Sequence, residues 1–176
     1  AYAEWHCAEE IKGIDRGSLA IVRSRGYGIG FGFVVNGNIV NGHLGLAGEA
    51  GYMGINFNRH KKGEEGRGTL EYSAGVESVV RYMKERLYEF PESPLNENSN
   101  YMDVFEAYKH GDELADWAVS KVAWMLGYGI ANIIYIINPD CIIIGPDYPD
   151  TEDFINKIRS AVRNFVPEFV ERNAIF

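Results

Sequence analysis

The glycine-rich stretch 26–52, GYGIGFGFVVNGNIVNGHLGLAGEAGY, constrains the fold more than any other part of the chain. Asn36-Gly37 separates two short apolar runs, and an Asn-Gly pair in that setting favours a tight turn between antiparallel strands. Glycines at 26, 28, 30 and 32 leave one strip of backbone without side chains, so that positive φ or a close neighbour is allowed there. The stretch therefore predicts a β-hairpin beside an open, glycine-rich turn.

The remaining apolar patterns predict one α/β unit. A strand over 18–24 precedes the hairpin, so that three strands in a row form a meander. Helical spacing of apolar residues predicts a helix over 76–90, a short helix over 102–108, a long helix from 112 to 138 and a last helix on residues 154–165. Residues 141–144, CIII, predict a short buried strand. This order favours a mixed sheet covered by helices.

Polar segments mark the loops between these elements. The charged stretch 58–68 predicts an exposed loop, and 91–100, PESPLNENSN, predicts a linker or mobile insertion. Thr69 is a candidate cap for a helix that begins with Leu70, and Asp150 or Thr151 for the last helix. Residues 53–57 and 173–176 are candidate short strands. Because 2–11 is typical of the end of a helix, we expect the chain to be part of a longer protein.

Charge and cysteine content exclude several functions. The formal net charge is −8 and there is no long basic cluster, so this chain alone is not expected to hold DNA. Two distant cysteines, Cys7 and Cys141, give no disulfide framework and favour a reducing cytoplasm. The apolar tract 117–137 is interrupted by Ser120 and Lys121, which favours a buried core helix over a membrane span.

Three segments in the same order resemble the ROK family, whose name stands for repressors, open reading frames and sugar kinases. The stretch 26–52 resembles its Gly-Thr-Gly-Ile-Gly turn, Asn-Gly hairpin and Ala-Gly-Glu-x-Gly-His signature. LEYSAG at 70–75 resembles the Leu-Glu segment after its zinc loop, and NPDCIIIGPDYPD at 138–150 resembles Asn-Pro-x-x-Ile-x-Ile-Gly-Gly-Gly. AYAEW at 1–5 resembles the helix after the catalytic Asn-Asp. The resemblance covers nearly all of 1–176 and implies the C-terminal lobe of an actin-like, ribonuclease H-like ATPase fold.

The resemblance implies that Glu49 and Glu71 are sugar-binding carboxylates. A carboxylate accepts charge-assisted hydrogen bonds from the hydroxyls on neighbouring sugar carbons. Tyr52 stands where the family has histidine, and its ring can stack on a sugar or its phenol can bond a hydroxyl. Other interpretations stay open: Glu49 as an exposed loop carboxylate, Glu71 as an acid that favours the helix dipole, and Tyr52 as a packing residue.

Both ATP contacts implied by the resemblance are altered. In the phosphate loop, the family has threonine where this chain has Tyr27, and a phenol ring cannot occupy the space of that small side chain. We therefore interpret this turn as a degenerate phosphate loop, made of Gly26, Tyr27, Gly28 and Gly30.

The turn that receives adenosine has three glycines in the family. Here one glycine remains, a proline removes a backbone donor, and an aspartate adds negative charge. The degenerate adenosine turn consists of Gly145, Pro146 and Asp147.

The resemblance also implies a zinc site that this chain has lost. Tyr52 replaces the family's histidine ligand, and Lys62, Glu64 and Thr69 stand where the family has cysteines. Without a soft ligand we expect no metal and no bound cofactor.

The leading hypothesis is a sugar-sensing effector-binding lobe of a ROK-type, xylose-repressor-like transcriptional regulator without kinase activity. The resemblance implies a cytoplasmic homodimer whose partner is a sugar and whose DNA contact lies in a domain outside this chain. The alternative is the C-terminal lobe of a divergent, glucokinase-like sugar kinase that uses ATP and magnesium. A third reading is an assembly domain without a small ligand, which predicts no pocket at Glu49.

Overall fold

Four strands form one mixed sheet in the computed structural model, which describes residues 17–55 and 69–167. The strands are β1 (Leu19–Arg25), β2 (Gly28–Val35), β3 (Asn38–Ile39) and β4 (Cys141–Ile144), in the order β3-β2-β1-β4. β1 pairs antiparallel with β2, from Leu19 opposite Val34 to Arg25 opposite Gly28. β4 pairs parallel with β1, so the sheet is mixed, as predicted.

The β2–β3 hairpin confirms the prediction made from Asn36-Gly37. Asn36 has a φ of 50° and Gly37 a φ of 74°, and positive φ at both central residues is what a type I′ turn requires. In the first turn, Gly26 has a φ of 57°, whereas Gly28 and Gly30 have ordinary strand conformations. The glycines at 28 and 30 therefore leave the strand without side chains at these positions, and their backbone conformation does not require glycine.

Five α-helices are described, together with two short 3-10 turns, Ala50–Tyr52 and Leu87–Glu89. The helices are α1 (Thr69–Ala74), α2 (Ser78–Arg86), α3 (Tyr101–Lys109), α4 (Glu113–Ile137) and α5 (Glu152–Phe165). They pack on the face of the sheet that presents Ala20, Val22 and Phe31.

Two expectations for the helix over 76–90 are wrong. α2 begins only at Ser78, after a tight turn at 75–77 in which the Val76 N–H donates to the Ser24 hydroxyl at 3.0 Å. The 3-10 turn 87–89 replaces its last residues.

Thr69 is the first residue of α1 and not its cap, because its hydroxyl bonds the backbone of the preceding loop.

The long apolar helix α4 lies in the middle of the core. Asp112 caps it by accepting the Ala115 N–H at 2.8 Å, and Asn138 ends it with a left-handed φ of 48°. By length and composition alone α4 could cross a membrane. However, Leu126 and Ile130 are fully buried inside the protein and α4 packs against the other four helices, which confirms the core-helix prediction.

The remaining connections are set by local caps. Thr151, of the two candidates, caps α5 by accepting the Phe154 N–H at 3.2 Å. The segment 91–100 is a series of turns that buries Leu95 and ends at Asn100, which forms a capping box with Asp103 at the start of α3.

Several expectations concern residues that the structure does not describe. The helix over 2–11, the loop 58–68, the strand over 173–176, and Cys7 all lie outside the described residues, and so do Lys62 and Glu64. Of the candidate strand 53–57, residues 53–55 are described and are not in a strand.

Candidate functional site

The loop 48–55 lies against β2 and presents Glu49 and Tyr52 outward. The Phe31 N–H donates to the Gly48 carbonyl at 2.8 Å. A side chain at Gly48 would meet the Phe31 carbonyl oxygen at 1.9 Å, and its φ is 96°, so only glycine allows this approach. Glu49 is exposed and precedes the 3-10 turn, and 59% of Tyr52 is exposed at its end. Both side chains are therefore open to a ligand.

The carboxylate of Glu71 lies beneath this loop. Glu71 is in the first turn of α1, yet only 8% of it is exposed. A methyl group on Gly51 would lie 3.1 Å from Glu71 Oε2, and one on Gly28 would lie 3.9 Å from the same oxygen. Gly51 thus leaves room for this carboxylate, whereas a methyl group at Gly28 would make only an ordinary contact with it. The fold brings the loop carrying Glu49 and Tyr52 close to the helix that carries Glu71.

The turn that carries Tyr27 is held on the junction between α1 and α2. The buried Ser24 hydroxyl donates to the Gly28 carbonyl at 3.0 Å and accepts the Val76 N–H. A side chain at Gly75 would lie 3.0 Å from the Tyr27 carbonyl oxygen. The backbone of this turn is therefore fixed to the end of the helix that carries Glu71.

The ring of Tyr27 is 56% exposed and borders a cavity of about 600 Å³. Tyr72 and the outer side of α2 line the rest of this cavity. One of its cations, Arg81, lies 4.3 Å from the centroids of both Tyr72 and Tyr82 and pairs with Glu85 at 3.1 Å. Lys84 supplies a second cation to the lining, 3.8 Å from the Glu97 carboxylate.

The turn 145–147 packs tightly on β1. The Gly145 N–H donates to the Val22 carbonyl at 2.9 Å. A side chain at Gly145 would lie 2.3 Å from Arg23 Cδ, so the remaining glycine is required by packing. Pro146 is exposed beside it.

The negative charge that Asp147 adds to this turn is paired with Arg23. Asp147 Oδ2 accepts from Arg23 Nε at 2.6 Å and from the Ser24 N–H at 3.2 Å. The bond from the Arg23 guanidinium lowers the pKa of the Asp147 carboxyl. The Arg23–Asp147 pair lies just beyond Val22 and Ile144, the last residues paired between β1 and β4.

Tyr148 joins this turn to α1. Its hydroxyl donates to the Ala74 carbonyl at 2.9 Å in a buried position, and burial raises the pKa of the phenol. α1 therefore contacts both altered turns at its C-terminal end and carries Glu71 near its N-terminal end.

Two of the four positions where the resemblance implies zinc ligands are described. Tyr52 is exposed, and Thr69 uses its hydroxyl on the backbone of Met53 and Ile55. Within residues 17–55 and 69–167, no group of three His, Cys, Asp or Glu side chains is placed to hold a metal ion.

The sequence analysis missed the roles of Arg23, Ser24 and Tyr148. Ser24 alone gave a signal, because it continues the core-facing alternation of Ala20 and Val22 with a polar side chain. A hydroxyl in that position must find a partner inside the protein.

The mixed sheet, its covering helices and the glycine-rich loop together define the class: this is a lobe of the actin-like ATPase fold. A ROK family glucokinase from Streptomyces griseus, in complex with glucose and AMPPNP, superposes with a TM-score of 0.81 at 22% identity. The match covers 99% of this chain and 59% of that one.

The chain belongs to the ROK family, whose model matches residues 2–175. It is 29% identical to the xylose repressor of Caldicellulosiruptor bescii, over 85% of this chain and 39% of the repressor. It is 35% identical to a glucokinase of Halalkalibacterium halodurans, over 68% of this chain and 38% of the kinase. The chain thus spans about two fifths of the length of these relatives, and regulators and sugar kinases both occur among them.

Proposed function

We propose that this chain is the sugar-binding C-terminal lobe of a ROK transcriptional regulator without kinase activity. The observation that carries the proposal is the buried Glu71 carboxylate, which lies beneath Gly51 of the loop that carries the exposed Glu49. Two carboxylates on one loop–helix junction suit the adjacent hydroxyls of a sugar, since ionised acceptors make the stronger hydrogen bonds. Tyr52, at the end of the same loop, adds an aromatic surface for the ring.

The regulator is favoured over the kinase by the two altered turns. Tyr27 places a phenol ring where a phosphate would approach, and the Asp147–Arg23 pair uses donors that an anion would need. Loss of nucleotide contacts with retained carboxylates is the pattern of a sensor, in which a sugar closes two lobes and shifts the attached DNA-binding domains.

The wider setting follows from the family and the charge. We infer that the full-length protein is a cytoplasmic homodimer. We also infer that it binds DNA through a domain outside this chain, because the net charge of −8 on this chain opposes contact with a phosphate backbone. We also infer that it needs neither zinc nor another cofactor. Light scattering on the full-length protein, together with metal analysis, tests both statements.

Calorimetric titration of the full-length protein tests the proposal. The probes are D-glucose, D-xylose and methyl β-D-glucoside. At least one is expected to bind, and Glu49→Ala should weaken it by roughly 10- to 100-fold, the range for hydrogen bonds to charged groups. Glu92→Ala, at an exposed glutamate in the segment 91–100, is the matched control. Absence of binding by every sugar, or full affinity in Glu49→Ala, would contradict the proposal.

The second candidate is a divergent sugar kinase, which the 35% identity to a glucokinase favours. In that case the missing lobe would supply an aspartate as base, and ATP with magnesium would supply the phosphoryl group. Steady release of ADP by the full-length protein in the presence of any of the three sugars would decide for the kinase.

A further inference from the structure

We propose that Thr69 is a positioning residue of the sugar site, whose hydroxyl fixes the loop carrying Glu49 and Tyr52 to the helix carrying Glu71. The inference deepens the proposed function and rests on it. It assigns to a side chain, and not to a metal ion, the task of holding these two parts together.

The Thr69 hydroxyl makes two hydrogen bonds, and both go to the loop. Thr69 Oγ1 donates to the Met53 carbonyl at 2.9 Å and accepts the Ile55 N–H at 2.5 Å. The neighbouring Leu70 N–H also donates to the Met53 carbonyl, at 3.2 Å. The hydroxyl therefore works as donor and acceptor at once, which neither an aliphatic side chain nor a cation can do.

The position of Thr69 in the chain makes these bonds relevant to the ligand. Met53 directly follows Tyr52, and Thr69 is the first residue of the helix that carries Glu71. The Thr69 side chain, together with the Leu70 N–H, thus joins the loop that carries Glu49 and Tyr52 to the helix that carries Glu71.

The other end of the loop is fixed separately, by the bond from the Phe31 N–H to the Gly48 carbonyl. Glu49 and Tyr52 lie between the two anchored ends. Binding groups lose much of their effect when displaced by about 1 Å, so a loop released at one end should bind sugar less well.

Thr69→Val and Thr69→Ser form a matched pair for testing this role. Valine keeps the branched shape and removes the hydroxyl, whereas serine keeps the hydroxyl and removes only a methyl group. Both variants are made in the full-length protein. Three measurements follow: affinity for the tightest of D-glucose, D-xylose and methyl β-D-glucoside, amide hydrogen exchange at Ile55, and the urea midpoint.

Thr69→Val is expected to bind the sugar about five- to tenfold more weakly and to exchange the Ile55 amide faster, while Thr69→Ser stays within about twofold of the wild type. Equal losses in both variants, or full affinity in Thr69→Val, would overturn the inference. So would loss of sugar affinity after dialysis against EDTA, because a metal would then hold the loop. If Thr69→Val does not fold, Thr69→Ala takes its place with the same criteria.

The exchange measurement separates failure of this inference from failure of the proposed function. If the wild type binds none of the three sugars, the proposed function falls and the positioning role with it, even where Ile55 loses protection in Thr69→Val. If the wild type binds sugar but Ile55 exchanges equally fast in both proteins, the proposed function stands and only the role of Thr69 is refuted.

Discussion

Single glycines decide how closely the loop 48–55 can approach the strand and helix beneath it. Gly48 and Gly51 both lie where a side chain would overlap a carbonyl oxygen of β2, whereas Gly54 has open space around it. The same loop therefore contains glycines that packing requires and one that it does not. The candidate site therefore depends on the absence of side chains at Gly48 and Gly51 as well as on its carboxylates.

Gly51→Ala is expected to destabilise the protein by about 2–3 kcal/mol, the range for overpacking a tight contact. Its methyl group would lie 2.2 Å from the Ile29 carbonyl oxygen and 3.1 Å from Glu71 Oε2. Urea unfolding monitored by circular dichroism measures the change. Gly54→Ala is the control and should cost less than about 0.5 kcal/mol. Equal stability of the two variants would contradict the packing described for Gly51.

Asp147 should make stability depend on pH. Its pKa is lowered in the folded protein by Arg23, so its pairing contributes fully above the unfolded value of 3.8 and is lost as pH falls through the lower folded value. We expect Asp147→Asn to be less stable than the wild type by about 1 kcal/mol at pH 7, and the difference to shrink below pH ~4. Urea midpoints from pH 7 to pH 2.5 measure it.

Asp150→Asn, at an exposed carboxylate three residues further on, is the control and should follow the wild-type pH profile. A constant difference between Asp147→Asn and the wild type at every pH would show that the ion pair adds nothing to stability. The salt bridge is partly exposed, with 24% of the Asp147 side chain accessible, which keeps the expected effect small.

The elements that were predicted well are those whose signals are local. The Asn36-Gly37 turn, the caps of α4 at Asp112 and Asn138, and the apolar run of β4 lie within or next to the element they define. The errors come from distant partners. The start of α2 depends on a bond between residues 52 positions apart, from Val76 to Ser24.

The same distinction holds for the candidate site. The carboxylates could be named from their motifs, because each motif is a short continuous segment. The Arg23–Asp147 pair joins residues 124 positions apart, so no local pattern reveals that the charge is balanced. The two hydrogen bonds from the Thr69 hydroxyl to the loop likewise depend on how the start of a helix packs against a separate loop.

Contact between α4 and α5 offers a test of packing between elements. A methyl group on Gly127 would lie 2.5 Å from Ala161 Cβ and 3.1 Å from the Ile158 carbonyl oxygen, both on α5. On Gly129 it would meet only the end of the Leu70 side chain, at 2.7 Å. We expect Gly127→Ala to destabilise by about 2 kcal/mol or more, and Gly129→Ala by less, because a leucine can change rotamer and alanine favours the helix.

Thermal unfolding of both variants measures this difference. A Gly127→Ala protein as stable as the wild type would mean that the two helices can separate at no cost, contrary to the buried contact between them. The order of the two variants, and not the absolute value, is the informative result, since both gain the same helix propensity.

At the scale of the whole molecule, α1 lies between two surfaces that carry different groups. Glu71, near its start, lies with the open loop that carries Glu49, while its C-terminal end contacts the turns at Tyr27 and Tyr148. The first surface carries the two carboxylates of the proposed sugar site. The second carries the exposed Tyr27, which borders a cavity, and the Asp147–Arg23 pair. A ligand that uses only the first surface should therefore stabilise the protein, and a nucleotide should not.

Thermal shifts of the full-length protein measure this selectivity. A sugar at about 100 times its dissociation constant should stabilise the folded state by about 2.7 kcal/mol, whereas millimolar ATP with magnesium should leave the melting temperature unchanged. Glu49→Ala should lose about half or more of the sugar shift without a lower starting temperature, because the side chain is exposed and its removal costs little stability. If ATP raised the melting temperature as much as the sugar did, the altered turns would still accept a nucleotide, and a kinase would then be the better description.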